Sequence, residues 1–199
     1  MDILYATKNK SKLIHMRDRL TDLDVRILSP DDLDLDIEVI EDGIKPSDNA
    51  KKKAEAYYQS SKLPCIGADS GLYIEGLAED QQPGLYVRRV NQKVLTDDEM
   101  IDYYSCLAKK LGGQVQAYYL TGLAYVDENG VDAIDIKENL MIMTSEININ
   151  RSHQGNPLDV LMIDPVTHKY LNELTKEEYQ QSGTQFEKAC RDFLKKHIC

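Results

Sequence analysis

No apolar run in this chain of 199 residues approaches the length needed to cross a bilayer, so a membrane-spanning helix is not expected. Basic residues are in the minority, 24 against 34 acidic ones. The resulting net charge of −10 argues against a nucleic-acid groove or an anionic membrane surface as partner, since both are bound through excess Lys and Arg. Any anionic ligand would have to be small and met by a local cluster. Cysteine is sparse: Cys65, Cys106, Cys190 and Cys199 make no C-x-x-C pair, which argues against zinc and predicts reduced thiols. His15, His153, His168 and His197 lack ligand spacing and are expected at surface or packing positions. The first residues, Met1-Asp2-Ile3-Leu4-Tyr5-Ala6, hold neither a basic segment nor a long apolar stretch, so no signal peptide and a cytoplasmic location are expected. Repeats and low-complexity tracts are missing too. With 42% hydrophobic and 29% charged residues, the expectation is one soluble domain over residues 1–199.

Periodicity orders the elements within it. Residues 2–6 read as a short buried strand, and Asn9 to about Leu20 as a helix with Leu13, Met16, Arg17 and Leu20 at helical spacing. A second strand is expected at 24–28. Leu33, Leu35, Ile37 and Val39 then alternate with Asp32, Asp34, Asp36 and Glu38, which predicts a strand or extended arm with one wet acidic face. Pro46-Ser47 opens a helix to about Ser61 with Ser47 as the N-cap candidate, and residues 63–68 form a buried strand that delivers Asp69. Thr96-Asp97-Asp98-Glu99 is a capping box for a helix that stops at Gly112-Gly113. Residues 115–126 and 131–143 read as strands joined by the turn Asp127-Glu128-Asn129-Gly130. A short strand at 160–163, a capping box at Thr175–Glu178 and an amphipathic helix with Phe186, Ala189, Cys190, Phe193 and Leu194 complete the chain. Strands and helices alternate early and strands pair locally later, so the class is α/β with a mixed sheet.

Four stretches in the first half carry chemistry. Thr7-Lys8-Asn9-Lys10-Ser11-Lys12 sits at a strand-to-helix turn, where unpaired N–H groups and the helix dipole favour an anion; it is not a P-loop, lacking the glycines and the Gly-Lys-Ser/Thr ending. Glu41 through Lys53, Ala68-Asp69-Ser70-Gly71-Leu72, and Pro83-Gly84-Leu85-Tyr86 with Arg88 and Arg89 add carboxylates, lysines and guanidiniums suited to a divalent ion and phosphate oxygens. Taken alone, each has a plain reading: a solvated helix start, a solvated glutamate in an acidic arm, an Asx-turn at Asp69, a solvated arginine pair.

Their order is more specific. Thr7-x-Asn9-x-x-Lys12, Glu41-Asp42-Gly43, Asp48-Asn49-Ala50-Lys51-Lys52-Lys53-Ala54, Asp69-Ser70-Gly71-Leu72 and Pro83-Gly84-Leu85-Tyr86 together resemble, over residues 2–90, the inosine triphosphate pyrophosphatase family. The resemblance implies an elongated mixed central β-sheet flanked by helices, with two lobes and the active cleft between them. It implies hydrolysis of a nucleoside triphosphate, in the family a purine outside the standard set, to the monophosphate and pyrophosphate with one Mg²⁺ ion, by a homodimer. Thr7, Asn9, Lys12 and Lys53 would contact the triphosphate, the two lysines also neutralising charge during attack at the α-phosphorus. Glu41 and Asp69 would hold the metal, and Asp69 would orient or deprotonate the attacking water. Ser70, Gly71, Arg88, Arg89 and Asp159 would complete the substrate site, with the choice between the two arginines left open.

The chain also departs from the family. Ala68 stands where the family has a first carboxylate, and Asp80-Gln81-Gln82 replaces a Gly-Gly with about two extra residues. Gly155-Asn156-Pro157-Leu158-Asp159 replaces a segment whose ring stacks on the purine, and a later base-reading triplet falls on Gly183-Thr184-Gln185. Altered base recognition follows. These departures also motivate a second reading, a nucleotide-binding protein of the same fold without turnover.

Overall fold

The computed structural model describes residues 1–148, 150 and 156–198; His153, Gly155 and Cys199 lie outside the described residues. In chain order the elements are β1 (Asp2–Tyr5), α1 (Lys10–Arg19), β2 (Arg26–Leu28), α2 (Pro46–Ser61), β3 (Cys65–Ile74), β4 (Arg89–Val90), β5 (Lys93–Val94), α3 (Asp97–Lys110), β6 (Gln114–Asp127), β7 (Gly130–Lys137), β8 (Met141–Thr144), β9 (Met162–Ile163), α4 (Lys176–Ser182) and α5 (Thr184–Ile198). They divide into two units, one of residues 1–70, 120–137 and 186–199, the other of residues 71–119 and 138–185.

In the first unit β1 pairs in parallel with β2 and β3, and β6 pairs antiparallel with β7. Successive side chains of a strand point to opposite faces, and the two cores sort accordingly. Ile3, Tyr5, Ile66, Ala68, Leu123 and Tyr125 face Met16 of α1, Leu20 at its C-cap, and Cys190, Phe193 and Leu194 of α5. The intervening Leu4, Cys65, Ala124 and Val126 face Ala50, Ala54 and Tyr57 of α2. Two glycines let α2 lie close on its face, as glycine inside a strand often marks a close approach. A Cβ on Gly67 would stand 2.0 Å from the carbonyl oxygen of Ala50, and one on Gly122 would stand 2.2 Å from the carbonyl carbon of Pro46.

The acidic segment after β2 is the extended arm, not a strand. A 3-10 turn at Asp31–Leu33 leads into irregular chain. Leu33, Leu35, Ile37 and Val39 nevertheless pack against the α2-side core while the residues between them stay exposed. The period of two therefore reflects docking of alternate side chains without a sheet partner.

The second unit is built on α3, β8 and β9, with β6 residues 114–117 pairing antiparallel with β8 and β8 with β9. Its core gathers Leu72, Ile74, Met100, Ile101, Tyr104, Met143, Leu161 and Met162. Both capping boxes form as read: Thr96 accepts from the Glu99 amide, and Thr175 from that of Glu178. The strand expected at 131–143 is instead two. Leu120 pairs with Lys137 while Ala117 pairs with Met141, so Tyr118 and Tyr119 face the three residues 138–140, a β-bulge that ends β7 before β8 begins. The last short strand is likewise trimmed to Met162–Ile163, because Val160 belongs to a 3-10 turn, Pro157–Val160.

Candidate active site

Parallel pairing of β1 with β3 (Tyr5 opposite Ile66, with the Ala6 amide donating to the Ile66 carbonyl at 2.8 Å) sends the chain out of β1 beside the stretch that leads to Asp69. Carboxyl ends of parallel strands are where open α/β sheets hold ligands. Asn9 is the N-cap of α1, its Oδ1 accepting from the amides of Ser11 and Lys12 at 2.9 and 3.2 Å. That oxygen is spent on the helix, so the NH2 is what Asn9 has to offer an anion. Thr7 Oγ1 accepts from the Asn9 amide at 3.2 Å, which leaves its own hydroxyl hydrogen to donate. Lys12 stands in the first turn of α1, half-buried.

Asp69 lies on the α2 side of β3, two positions beyond Gly67 and four beyond Cys65. It meets two residues of α2 that share one face of the helix at i and i+4. Lys53 Nζ stands 3.3 Å from Asp69 Oδ1, 2.7 Å from Glu41 Oε2 and 3.4 Å from the carbonyl oxygen of Ala68. Asn49 Nδ2 donates to Asp69 Oδ2 at 2.8 Å, while Asn49 Oδ1 accepts from the Gly43 amide at 2.8 Å. Lys53 and Asp69 are both largely buried, with side-chain exposures of 16% and 15%, and Glu41 is more open at 38%. Two carboxylates thus converge on one cationic position, and the ammonium of Lys53 fills it. Among the described residues no group of three or more His, Cys, Asp or Glu could hold a metal. Two carboxylates are the protein share that Mg²⁺ takes when water and substrate phosphates supply its remaining oxygens, so the donor set fits that ion.

Ala68 turns to the other face of β3 and is buried in the core with Ile66 and Tyr5. The position that lacks a carboxylate is therefore not on the face shared by Asp69, Lys53 and Glu41. Ser70 also falls on that opposite face, its hydroxyl 2.7 Å from that of Thr121.

The remaining expected residues belong to the second unit. Gly71 has no room for a side chain, a Cβ there standing 2.9 Å from the Gly84 carbonyl oxygen. The amides and carbonyls of Leu72 and Gly84 exchange two hydrogen bonds, of 2.9 and 3.0 Å, which lays the Pro83-Gly84 turn along β3. The altered loop before it closes through Gln82, whose side-chain amide bonds both the N–H and the C=O of Ile74 at 2.8 Å. Arg88 is held at 2.7 Å from Asp97 and donates to the Leu95 carbonyl, whereas Arg89 is exposed on β4. Asp159 lies in the 3-10 turn among buried Pro157, Leu158 and Val160; burial pushes its carboxyl up to about 7, against a hydrogen bond from Asn156 that pulls it down. Gly183 closes α4, Gln185 is exposed, and the Thr184 side chain lies outside the described residues.

Ser47 is not the N-cap of α2. Lys45 takes that place, and Asp48 accepts from its amide at 3.0 Å. Asp135 of β7 instead receives the Ser47 amide and hydroxyl at 2.8 and 2.7 Å, a contact across 88 residues that no local motif announces. Asn49 was visible within its motif without a role.

Residues 3–196 match the Ham1 family. A dITP/XTP pyrophosphatase of Leptospira interrogans serogroup Icterohaemorrhagiae serovar copenhageni (strain Fiocruz L1-130) is 29% identical over 192 residues, covering 96% of this chain and 93% of the relative. A dITP/XTP pyrophosphatase of Aquifex aeolicus (strain VF5) is 35% identical over 89 residues, 45% of this chain and 42% of that protein. Among solved structures, the Ham1 protein of Staphylococcus aureus aligns with a TM-score of 0.74 at 20% identity, covering 99% of this chain and all of that one. A HAM1 protein from Coxiella burnetii gives 0.75 at 23%, covering 98% and 99%. At those identities the structures speak for the fold.

Proposed function

The chain belongs to the Ham1 family, the inosine triphosphate pyrophosphatase-like proteins that its motifs resemble, and from that premise we propose that it hydrolyses a nucleoside triphosphate to the monophosphate and pyrophosphate. The observation that carries this reading is the meeting of the largely buried Lys53 and Asp69 with the more open Glu41, on the sheet end where Thr7 and Asn9 open α1. Thr7, Asn9, Lys12 and Lys53 donate to phosphate oxygens, and Asp69 accepts the proton of the water that attacks the α-phosphorus. Arg88, Arg89, Ser70, Gly71 and Asp159 enter the proposed substrate set on the family resemblance, Arg88 being the one that is already paired with Asp97. Glu41 and Asp69 would hold Mg²⁺, which when bound offsets charge on the phosphate oxygens. Asn156, Pro157 and Leu158 present no aromatic ring to stack on a base, so the accepted base is proposed to differ from those of relatives that have one, within a purine-like class that the relatives' names support. A single domain over residues 1–199, a homodimer and a cytoplasmic location are part of the same reading.

The test is a panel of standard, deaminated and modified triphosphates with Mg²⁺, read by pyrophosphate release. Turnover is expected for at least one member, and Asp69→Asn should lower kcat by about 10²–10⁴-fold, the usual share of a general base. Tight triphosphate binding without any pyrophosphate would favour a nucleotide-binding protein instead.

A further inference from the structure

We propose that Asn49 is the positioning residue of this site, holding the two carboxylates, Asp69 and Glu41, in register on Lys53; the inference rests on the pyrophosphatase reading. Asn49 is 2% exposed, and both ends of its side-chain amide are used. A backbone N–H can only donate, so the atom 2.8 Å from the Gly43 amide must be Oδ1, and the atom 2.8 Å from Asp69 Oδ2 must be the donating Nδ2. With Oδ2 held by Asn49, the other oxygen of Asp69 is turned to Lys53. The bond to Gly43 pins the chain two residues beyond Glu41, which limits where the Glu41 carboxylate can reach and leaves it 2.7 Å from the same ammonium. Asn49 does not drift, because the first turn of α2 is itself fixed by the Ser47–Asp135 pair and by the close approach over Gly67 and Gly122.

Two substitutions in the full-length protein separate this role from a simple tether. Asn49→Asp keeps an acceptor for the Gly43 amide but, ionised at the alkaline pH of the assay, cannot donate to Asp69 and faces it with like charge; Asn49→Ala loses both bonds. The Gly43 amide is expected to stay protected from hydrogen exchange in wild type and Asn49→Asp, and to lose protection in Asn49→Ala. Pyrophosphate release should fall about 10–100-fold in kcat for both variants, at least as far in Asn49→Asp, with KM changed by less than about threefold. Wild-type kcat in Asn49→Asp would overturn the proposal, as would a kcat loss that follows Gly43 exposure alone. If wild-type protein releases no pyrophosphate from any triphosphate, the pyrophosphatase reading fails by itself. The positioning role is then judged by the side-chain carboxyl resonance of Asp69, which should move in Asn49→Ala and whose constancy would refute it.

Discussion

Asp159, in a four-residue 3-10 turn, and Asp69, midway along β3, are both aspartates, yet their surroundings differ in kind. Asp69 has a lysine and an asparagine donor on it. Asp159 has apolar neighbours, a hydrogen bond from Asn156 and the charge of Glu138 nearby, and burial pushes it up to about 7. A carboxyl raised in the folded state binds more protons folded than unfolded between its ordinary value and about 7, so stability falls as pH rises through that window, by at most about 1.4 kcal/mol per pH unit. Asp159→Asn removes the burden of ionising. It should raise Tm over wild type at pH 8 and change it little at pH 4, as thermal melts at the two pH values would show. The family resemblance singled out both residues, but only their neighbours distinguish a paired carboxylate from a buried one.

Helix α2 is the element on which the candidate site depends, since it carries Asn49 and Lys53 and takes its place from contacts outside itself. Asp135 accepts both the amide and the hydroxyl of Ser47 at its first turn, a cap supplied from another strand. Asp135→Ala should cost about 1–2 kcal/mol in urea unfolding, the range of a lost cap. Gly122→Ala acts differently: a Cβ there meets Pro46 backbone at 2.2 Å, so α2 must shift. It should destabilise by roughly 1–3 kcal/mol, the range of overpacking, and should also lower kcat because Asn49 and Lys53 move with the helix. The start and end of α2 were legible in Pro46 and the periodic alanines. Its N-cap was not, because the partner that draws Ser47 away from capping lies on β7.

For the whole molecule, a net charge of −10 combined with a small cluster of lysines implies a ligand no larger than the cluster that binds it. A non-hydrolysable triphosphate analogue with Mg²⁺, held at a hundred times its Kd, should stabilise the protein by about 2.7 kcal/mol, raising Tm by roughly 5–10 °C. Chelation of the metal should remove most of that gain. A scanning calorimeter reads both, and an unchanged Tm across the triphosphate panel would count against the site.

Residue order alone was enough to place the phosphate-type motifs, both capping boxes and the α/β class, because helical periodicity, strand alternation and caps are local properties of a chain. It also located the acidic arm, although alternation without a sheet partner could not say strand from arm. The surroundings of each residue came from folding. The pleat of β3 turns Ala68 and Ser70 from Asp69, and the tertiary structure decides what each face meets, α1 and α5 on one side and α2 on the other. The bonds from Asn49 to Asp69 and from Ser47 to Asp135 join residues 20 and 88 positions apart. Pairings of that kind exist only once the sheet has set which helix lies on which face, and no local pattern encodes them.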